Sequence, residues 1–180
     1  LVIGFILRII YGAILGNIEV SNWLYLTILV FAFFMGFGKR RNEIKKNKAK
    51  SRDVLKYYNY EFLDKSPINT DTDDYPDFAF EVANSVVSKE ADLGVLLCGT
   101  GIGMSIAANK VKGIRCGHCS TKEQAHLTKE HNCANVIALS YKQDINELAE
   151  MIKEFIETEC STEERHLRRV NKIINYEQGE

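Results

Sequence analysis

Apolar residues are distributed along this chain in two different ways. From Val20 to Gly38 the chain has 19 uncharged residues, most of them large and apolar. Beyond residue 76, short apolar runs alternate with segments whose apolar residues recur every three or four positions. The first pattern is typical of a membrane-spanning helix, which needs about 20 apolar residues. The second pattern indicates strands that alternate with amphipathic helices.

The second part of the chain is therefore predicted to be an α/β domain. Its strands are apolar without strict alternation, which is typical of a parallel sheet covered by helices on both faces. Ser120 and Glu123 form a capping-box pattern that places a helix start at Ser120. The predicted strands are residues 93–99, 113–119 and 135–140, and the predicted helices are residues 77–90, 103–111, 120–132, 144–159 and 161–177.

The first part is predicted to hold one or two transmembrane helices within residues 1–38. Trp23 and Tyr25 stand at one end of the long apolar run, where interfacial aromatic residues are common, and a strongly basic segment follows the other end. Such a flank favours attachment to the inner face of the membrane, with the α/β domain in the cytoplasm. A buried helix pair is the alternative. The first residue is Leu rather than Met, so we expect a chain truncated at its start.

Three segments follow from these patterns: membrane residues 1–38, a basic and polar linker at 39–67, and the α/β domain at 68–180. The formal net charge of −1 gives no indication of nucleic-acid binding. All five cysteines lie beyond residue 97, and no secretory signal precedes them. An odd number in that context predicts reduced thiols, with Cys133 and Cys160 as filler or surface residues.

The stretch "LLCGTGIGMSIAANK", residues 96–110, is the strongest candidate for chemistry. Its glycine spacing is not that of a dinucleotide fingerprint, and it lacks the Gly-Lys-Ser/Thr of a phosphate loop. A third interpretation is an anion hole, in which small residues turn backbone N–H groups and the start of a helix towards one point. That field favours the thiolate of Cys98. A base beside an anion hole suits proton abstraction next to a carbonyl. From spacing alone, a tight turn beside an inert cysteine is equally compatible.

Four motifs together resemble ribose-5-phosphate isomerase type B over residues 68–175. They are "DYPDFAFEVA", "GVLLCGTGIGMSIAANKVKGIRC", "HLTKEHNCANVIALS" and "ERHLRRV", in this order. The resemblance implies a Rossmann-like three-layer sandwich. It also implies an aldose–ketose isomerase that interconverts ribose 5-phosphate and ribulose 5-phosphate through an enediolate. Isomerases of allose 6-phosphate or galactose 6-phosphate are related alternatives.

The resemblance also implies roles for individual residues. Cys98 would be the base, Thr100 and the loop amides would stabilise the enediolate, and His131 would open the sugar ring. Asn132 would hold substrate oxygens, and Arg165 and Arg169, four apart on one helix face, would bind the phosphate. The implied site residues are Cys98, Gly99, Thr100, Gly101, Gly103, His131, Asn132, Arg165 and Arg169, with Tyr75 as a weaker candidate. No metal or organic cofactor is implied, and a homodimer or homotetramer would share each site between two chains.

The front of the chain departs from that family. A first strand ending in Asp-His, a helix and a second strand are not recognisable before residue 68, so we expect the sheet to lack its first strands. Residues 1–65 instead resemble the C-terminal membrane region of UbiA-like prenyltransferases that transfer phosphoribose to a polyprenyl phosphate. A non-catalytic membrane-anchored fusion or fragment is therefore an alternative function.

The "CGHC" stretch, Cys116 to Cys119, invites two further interpretations. A dithiol of this spacing occurs in oxidoreductases, and the two cysteines with His118 and His126 supply zinc-ligand types. The stretch lies within a predicted strand, however, and strand alternation points Cys116 and Cys119 to opposite faces. We therefore expect neither a redox dithiol nor a zinc site.

Overall fold

The computed structural model describes residues 29–33, 52–53, 55–66 and 74–179. Within them, a five-stranded sheet is combined with five helices longer than six residues. The strands are β1 (Leu29–Phe33), β2 (Phe62–Asp64), β3 (Leu93–Cys98), β4 (Cys116–His118) and β5 (Val136–Ser140). The helices are α1 (Tyr75–Val87), α2 (Ile102–Ala108), α3 (Lys122–Asn132), α4 (Ile145–Glu157) and α5 (Glu164–Gln178).

All strand pairs of the sheet are parallel, and the strand order is β2-β1-β3-β5-β4. In the pairing of β3 with β5, Gly94 lies beside Val136 and Cys98 lies beside Ser140. The carboxyl ends of these two strands therefore meet at one edge of the sheet. In a parallel sheet built this way, ligands bind at that edge.

Two separate apolar cores cover the two faces of the sheet. Val95 and Leu97 of β3 pack with α4 through Met151 and Phe155, whereas Leu96 and Cys98 lie in the other core. That second core includes residues of α1 and α2. Every residue of β3 is buried, as its apolar run without alternation predicts. The α/β prediction, with helices on both faces of a parallel sheet, is confirmed.

The prediction of a transmembrane helix over residues 20–38 is wrong at its centre. Residues 29–33 are the strand β1, which pairs with both β2 and β3. Among the helices that the described ranges contain, none is long and apolar enough to cross a membrane. The rest of the predicted membrane segment and most of the region resembling prenyltransferases lie outside the described residues. An uninterrupted apolar run is typical of a membrane helix and also of a strand buried on both faces, so apolarity alone does not separate them.

The expectation that the sheet lacks its first strands is also wrong. Both β1 and β2 precede α1 along the chain, and β1 lies between β2 and β3. Residues 55–57, just before β2, are helical. The segment predicted as a linker thus supplies a strand, Phe62–Asp64, whose three residues are too few to stand out as an apolar run. The absence of an Asp-His pair after the first strand still holds in the sequence, where residues 34–38 read "FMGFG".

Two local predictions need correction. The N-cap of α3 is Thr121 rather than Ser120, because Thr121 Oγ1 accepts a hydrogen bond from the Gln124 backbone N–H at 3.2 Å. Cys133 and Cys160, predicted as reduced thiols, are paired as a disulfide with 5.0 Å between their Cα atoms. The loop before α5 returns to the end of α3 and brings them together. The two cysteines are 27 residues apart in the sequence, and the sequence pattern does not indicate that they are in contact.

Candidate active site

Cys98 ends β3 at the carboxyl edge of the sheet, where the chain turns into the glycine loop. Its side chain is buried, and its sulfur accepts a hydrogen bond from the Gly101 backbone N–H at 3.0 Å. The carbonyl of Cys98 accepts from the Tyr141 N–H at 3.0 Å, which ties the strand end to the residue after β5. The predicted thiol therefore lies against one backbone N–H donor, that of Gly101.

The loop from Gly99 to Gly101 turns sharply into α2. Gly101 has φ of +80°, a left-handed conformation that favours glycine. Ser140 Oγ donates to the Gly99 carbonyl at 2.9 Å, so β5 holds the first half of the loop. Thr100 is exposed, with its hydroxyl oxygen 3.4 Å from the Ile102 backbone N–H. Hydrogen bonds from β5 and within the loop thus hold the predicted loop residues in a tight turn.

Three aromatic or imidazole rings border this loop. Tyr75, predicted as a weaker pocket candidate, lies so close to Gly103 that a Cβ there would be 2.8 Å from its ring. His118 lies against Gly101 in the same way, and the Tyr141 hydroxyl would be 3.7 Å from a Cβ at Gly99. Sequence analysis missed Tyr141 and did not connect His118 with the loop. Their positions in the sequence could have indicated this, because His118 ends β4 and Tyr141 follows β5. Residues at the carboxyl ends of parallel strands lie close to one another.

Replacement of Gly101 by alanine should destabilise the protein by about 1–3 kcal/mol, because an L side chain at positive φ is strained. The added Cβ would also lie 2.7 Å from the His118 ring and 3.1 Å from the Leu139 backbone. Gly99→Ala is the matched control, since its Cβ would make only one ordinary contact, at 3.7 Å. Urea unfolding of both variants checks this. Equal free energies of unfolding for the two variants would contradict it.

A second group of predicted site residues gathers at the end of α3. The rings of His131 and His166 are stacked, with centroids 4.1 Å apart and planes 14° apart. His131 Nε2 lies 3.0 Å from a carboxylate oxygen of Glu130. His166 is buried, and its Nδ1 has no hydrogen-bond partner among the described residues. Burial, followed by the neighbouring His131, holds the pKa of His166 below its usual value. The stacked pair is therefore poorly suited to two positive charges.

Asn132, Arg165 and Arg169 complete this second group. Asn132 is the last residue of α3, and both arginines lie on α5 with exposed side chains. Arg165 directly precedes His166 in α5 and Arg169 follows it three residues later, so both lie within one turn of the imidazole. Their charges also lower the pKa of His166. Arg165 Nε donates to a Glu163 carboxylate oxygen at 2.6 Å. An incoming phosphate would compete with Glu163 for that arginine.

The two groups lie at opposite ends of the strands: the thiol group at the carboxyl ends and the imidazole group at the amino ends. Cys98 pairs with Ser140 at the carboxyl end of β5, whereas His131 and Asn132 precede the amino end of β5 at Val136. Four residue steps along a strand separate those ends by roughly 13 Å. Within one chain, therefore, the structure assembles the thiol with its loop and, separately, the imidazoles with the arginines. It does not bring Cys98 and His131 together.

The "CGHC" stretch forms the short strand β4. Burial raises the pKa of Cys116 to about 12 and that of Cys119 to about 11, so both thiols stay protonated near neutral pH. In the part of the chain that the structure describes, no three His, Cys, Asp or Glu side chains are arranged to hold a metal ion.

Comparison with known proteins agrees with this architecture. A model of the family described as Ribose/Galactose Isomerase matches residues 42–173. This chain belongs to the ribose/galactose isomerase family. The match begins upstream of β2, inside the segment that the sequence analysis assigned to a linker. The family match thus includes β2 as well as the glycine loop.

Relatives within the ribose/galactose isomerase family are clear. A putative sugar phosphate isomerase of Bacillus subtilis is 42% identical over 139 residues, which are 77% of this chain and 89% of the relative. Ribose-5-phosphate isomerase B of Escherichia coli is 42% identical over 118 residues, covering 66% of this chain and 79% of the relative. A crystal structure of ribose-5-phosphate isomerase B from Mycoplasma genitalium with bound ribulose-5-phosphate has a TM-score of 0.71 at 34% identity, covering 84% of this chain and 95% of that one.

Proposed function

We propose that the protein is an aldose–ketose isomerase that interconverts ribose 5-phosphate and ribulose 5-phosphate. The observation that carries the proposal is the Cys98 thiol, held at the carboxyl edge of the sheet against the Gly101 N–H. Family members of similar sequence are named ribose-5-phosphate isomerase B, and one was crystallised with ribulose-5-phosphate. A thiol beside backbone donors supplies both needs of this reaction, a base and a group that stabilises an oxyanion.

Proton transfer is the central step of the proposed mechanism. The Cys98 thiolate takes a proton from C2 of the open-chain aldose, and the C–H electron pair forms the double bond of the enediolate. The former carbonyl oxygen becomes an oxyanion, which the Thr100 hydroxyl and the loop amides stabilise. The Cys98 thiol then returns the proton to C1, and the proton of the C2 hydroxyl passes to the C1 oxygen, which leaves the carbonyl at C2 and yields the ketose. Tyr75 and Tyr141 lie beside Gly103 and Gly99 and limit the space open to the sugar.

Ring opening and phosphate binding fall to the second group. His131 moves a proton between the ring oxygen and the C1 hydroxyl, a task for which an imidazole is suited. Asn132 holds substrate hydroxyls, and Arg165 and Arg169 bind the phosphate dianion together. Glu163, which pairs with Arg165 in the free protein, is displaced by the phosphate.

A site of this kind requires two chains. Ring opening and proton transfer act on neighbouring atoms of the sugar, so each catalytic group must lie within about 3 Å of its own proton. Cys98 and His131 of one chain lie at opposite edges of the sheet. We therefore propose a homodimer, or a homotetramer built from such dimers, in which His131 of one chain serves Cys98 of its partner.

The alternative functions have weaker support. A membrane-anchored, non-catalytic fragment requires the apolar front to be a membrane helix, but residues 29–33 are part of the sheet. Galactose 6-phosphate stays a candidate substrate through the family description, and allose 6-phosphate through the shared chemistry of aldose 6-phosphates. β1 is not followed by the Asp-His pair of the family pattern, whose aspartate would contact the sugar and whose histidine would help to bind the phosphate. As a result, we expect a higher KM for ribose 5-phosphate than that of a family member that has this pair.

The test is direct observation of the reaction by proton NMR in D₂O. The full chain is mixed separately with ribose 5-phosphate, allose 6-phosphate and galactose 6-phosphate. We expect ribulose 5-phosphate to appear, with deuterium entering the carbon-bound positions at C1 and C2 because the thiol exchanges its proton with solvent. A folded chain that converts none of the three sugars would overturn the proposal. Faster conversion of either hexose would reassign the substrate.

A further inference from the structure

The histidine that ends β4 makes a specific contact with the glycine loop. His118 Nε2 lies 2.8 Å from the carbonyl oxygen of Thr100. A carbonyl oxygen only accepts hydrogen bonds, so Nε2 carries the proton and donates. The ring also covers Gly101, where a Cβ would lie 2.7 Å from its Cδ2 atom. His118 thus touches the loop at the peptide bond between Thr100 and Gly101.

That peptide bond connects His118 with Cys98. The Thr100 carbonyl and the Gly101 N–H belong to one planar, trans peptide unit and therefore point in opposite directions. The carbonyl accepts from His118, and the N–H donates to the Cys98 sulfur at 3.0 Å. Rotation of this peptide unit would break both hydrogen bonds at once. Hydrogen bonds joined in this way also polarise each other, which strengthens the donor that faces the sulfur.

We propose that His118 is a positioning residue for the isomerisation, which holds the Thr100–Gly101 peptide so that its N–H stabilises the Cys98 thiolate. The inference rests on the proposed function of Cys98 as the base. It assigns His118 no direct contact with the sugar. Tyr75 and Tyr141 border the loop at Gly103 and Gly99, away from this peptide, and stay unchanged in the test.

The test compares His118→Gln with His118→Met. The two side chains are similar in length, but only glutamine keeps an N–H donor. His118 is exposed and lies on β4, the outermost strand of the sheet, so we expect both variants to fold. Alkylation of Cys98 by iodoacetamide is followed against pH by mass spectrometry. Trypsin cleaves after Lys89 and Lys110, and the peptide between them contains Cys98 as its only cysteine.

We expect the alkylation profile of His118→Met to move to higher pH, because the thiolate loses its oriented donor. The plateau rate at high pH reports access to the sulfur and serves as an internal control. We also expect kcat for ribose 5-phosphate to fall roughly tenfold with little change in KM, the size of effect for one hydrogen bond to a charged group. His118→Gln should keep both properties close to those of the wild type.

Three results would overturn the proposal. One is an unchanged alkylation profile in His118→Met, whether or not kcat falls. Another is a His118→Gln profile displaced as far as that of His118→Met. The third needs no variant: long-range ¹H–¹⁵N NMR of the wild type must show the proton of His118 on Nε2, and the other tautomer would exclude the donor role. A displaced profile in a chain without isomerase activity would refute the proposed function and overturn the role of His118 in isomerisation, although His118 would still position the donor that faces the Cys98 sulfur.

Discussion

Cys98→Ala should lower kcat for ribose 5-phosphate by about a thousandfold, the contribution typical of a positioned general base. KM should change little, because the proposed phosphate-binding residues lie on α5, at the other edge of the sheet. Cys98→Ser should be similarly impaired, since a serine hydroxyl is a far weaker base near neutral pH. Initial rates of ribulose 5-phosphate formation measure the effect.

The control for this experiment is Cys119→Ala. Cys119 is a buried thiol of the other core, and burial raises its pKa to about 11. Its loss should leave kcat within about threefold of the wild type, because it weakens packing in the core and removes no catalytic group. Retention of more than about a tenth of the wild-type kcat in Cys98→Ala would contradict the role of Cys98 as base. A second base at the loop would then have to be sought among its neighbours, first at Tyr141.

The parallel sheet could be predicted from the sequence where its strands are long and uninterrupted. The strand β3 is buried on both faces, so an apolar run without alternation correctly predicted a strand there. The same signal misled at residues 29–33, because the apolar run around β1 is long enough to match a membrane helix. The strand β2 was not predicted, for the opposite reason: Phe62–Asp64 has only three residues, and one of them is charged.

The candidate site could be predicted only as far as it is local in the chain. The glycine loop carries its own pattern, and in the structure Gly101 donates its N–H to the Cys98 sulfur. His118 and Tyr141 reach the loop because β4 and β5 end at the same edge of the sheet. That neighbourhood depends on strand order, which spacing in the sequence does not reveal.

The division of the site into two groups likewise needed the fold. In the sequence, the "HN" pair at residues 131–132 simply follows the glycine loop. The structure shows that a full strand, β5, separates the two groups along the sheet. Two motifs of one family pattern thus lie at opposite ends of one strand. This separation is the reason for the proposal that two chains share each site, and that proposal can be tested.

Co-expression of Cys98→Ala with His131→Ala should restore isomerase activity that neither variant has alone. In a mixed dimer of twofold symmetry, one site carries both changes and the other carries neither. Random pairing makes about half of the dimers mixed, so about a quarter of the wild-type kcat should return. Separate affinity tags on the two chains allow the mixed dimers to be isolated, and their activity per dimer should be about half that of the wild type.

The matched control is co-expression of Cys98→Ala with Cys98→Ser, in which every site lacks the thiol. This mixture should stay as inactive as its parents, although it forms mixed dimers equally well. Recovery only in the Cys98–His131 combination would locate the two groups on different chains of one site. Isolated mixed dimers that stay inactive, with both parents folded, would contradict the shared site. Cys98 and His131 would then have to approach each other within one chain, across the length of β5 that now separates them.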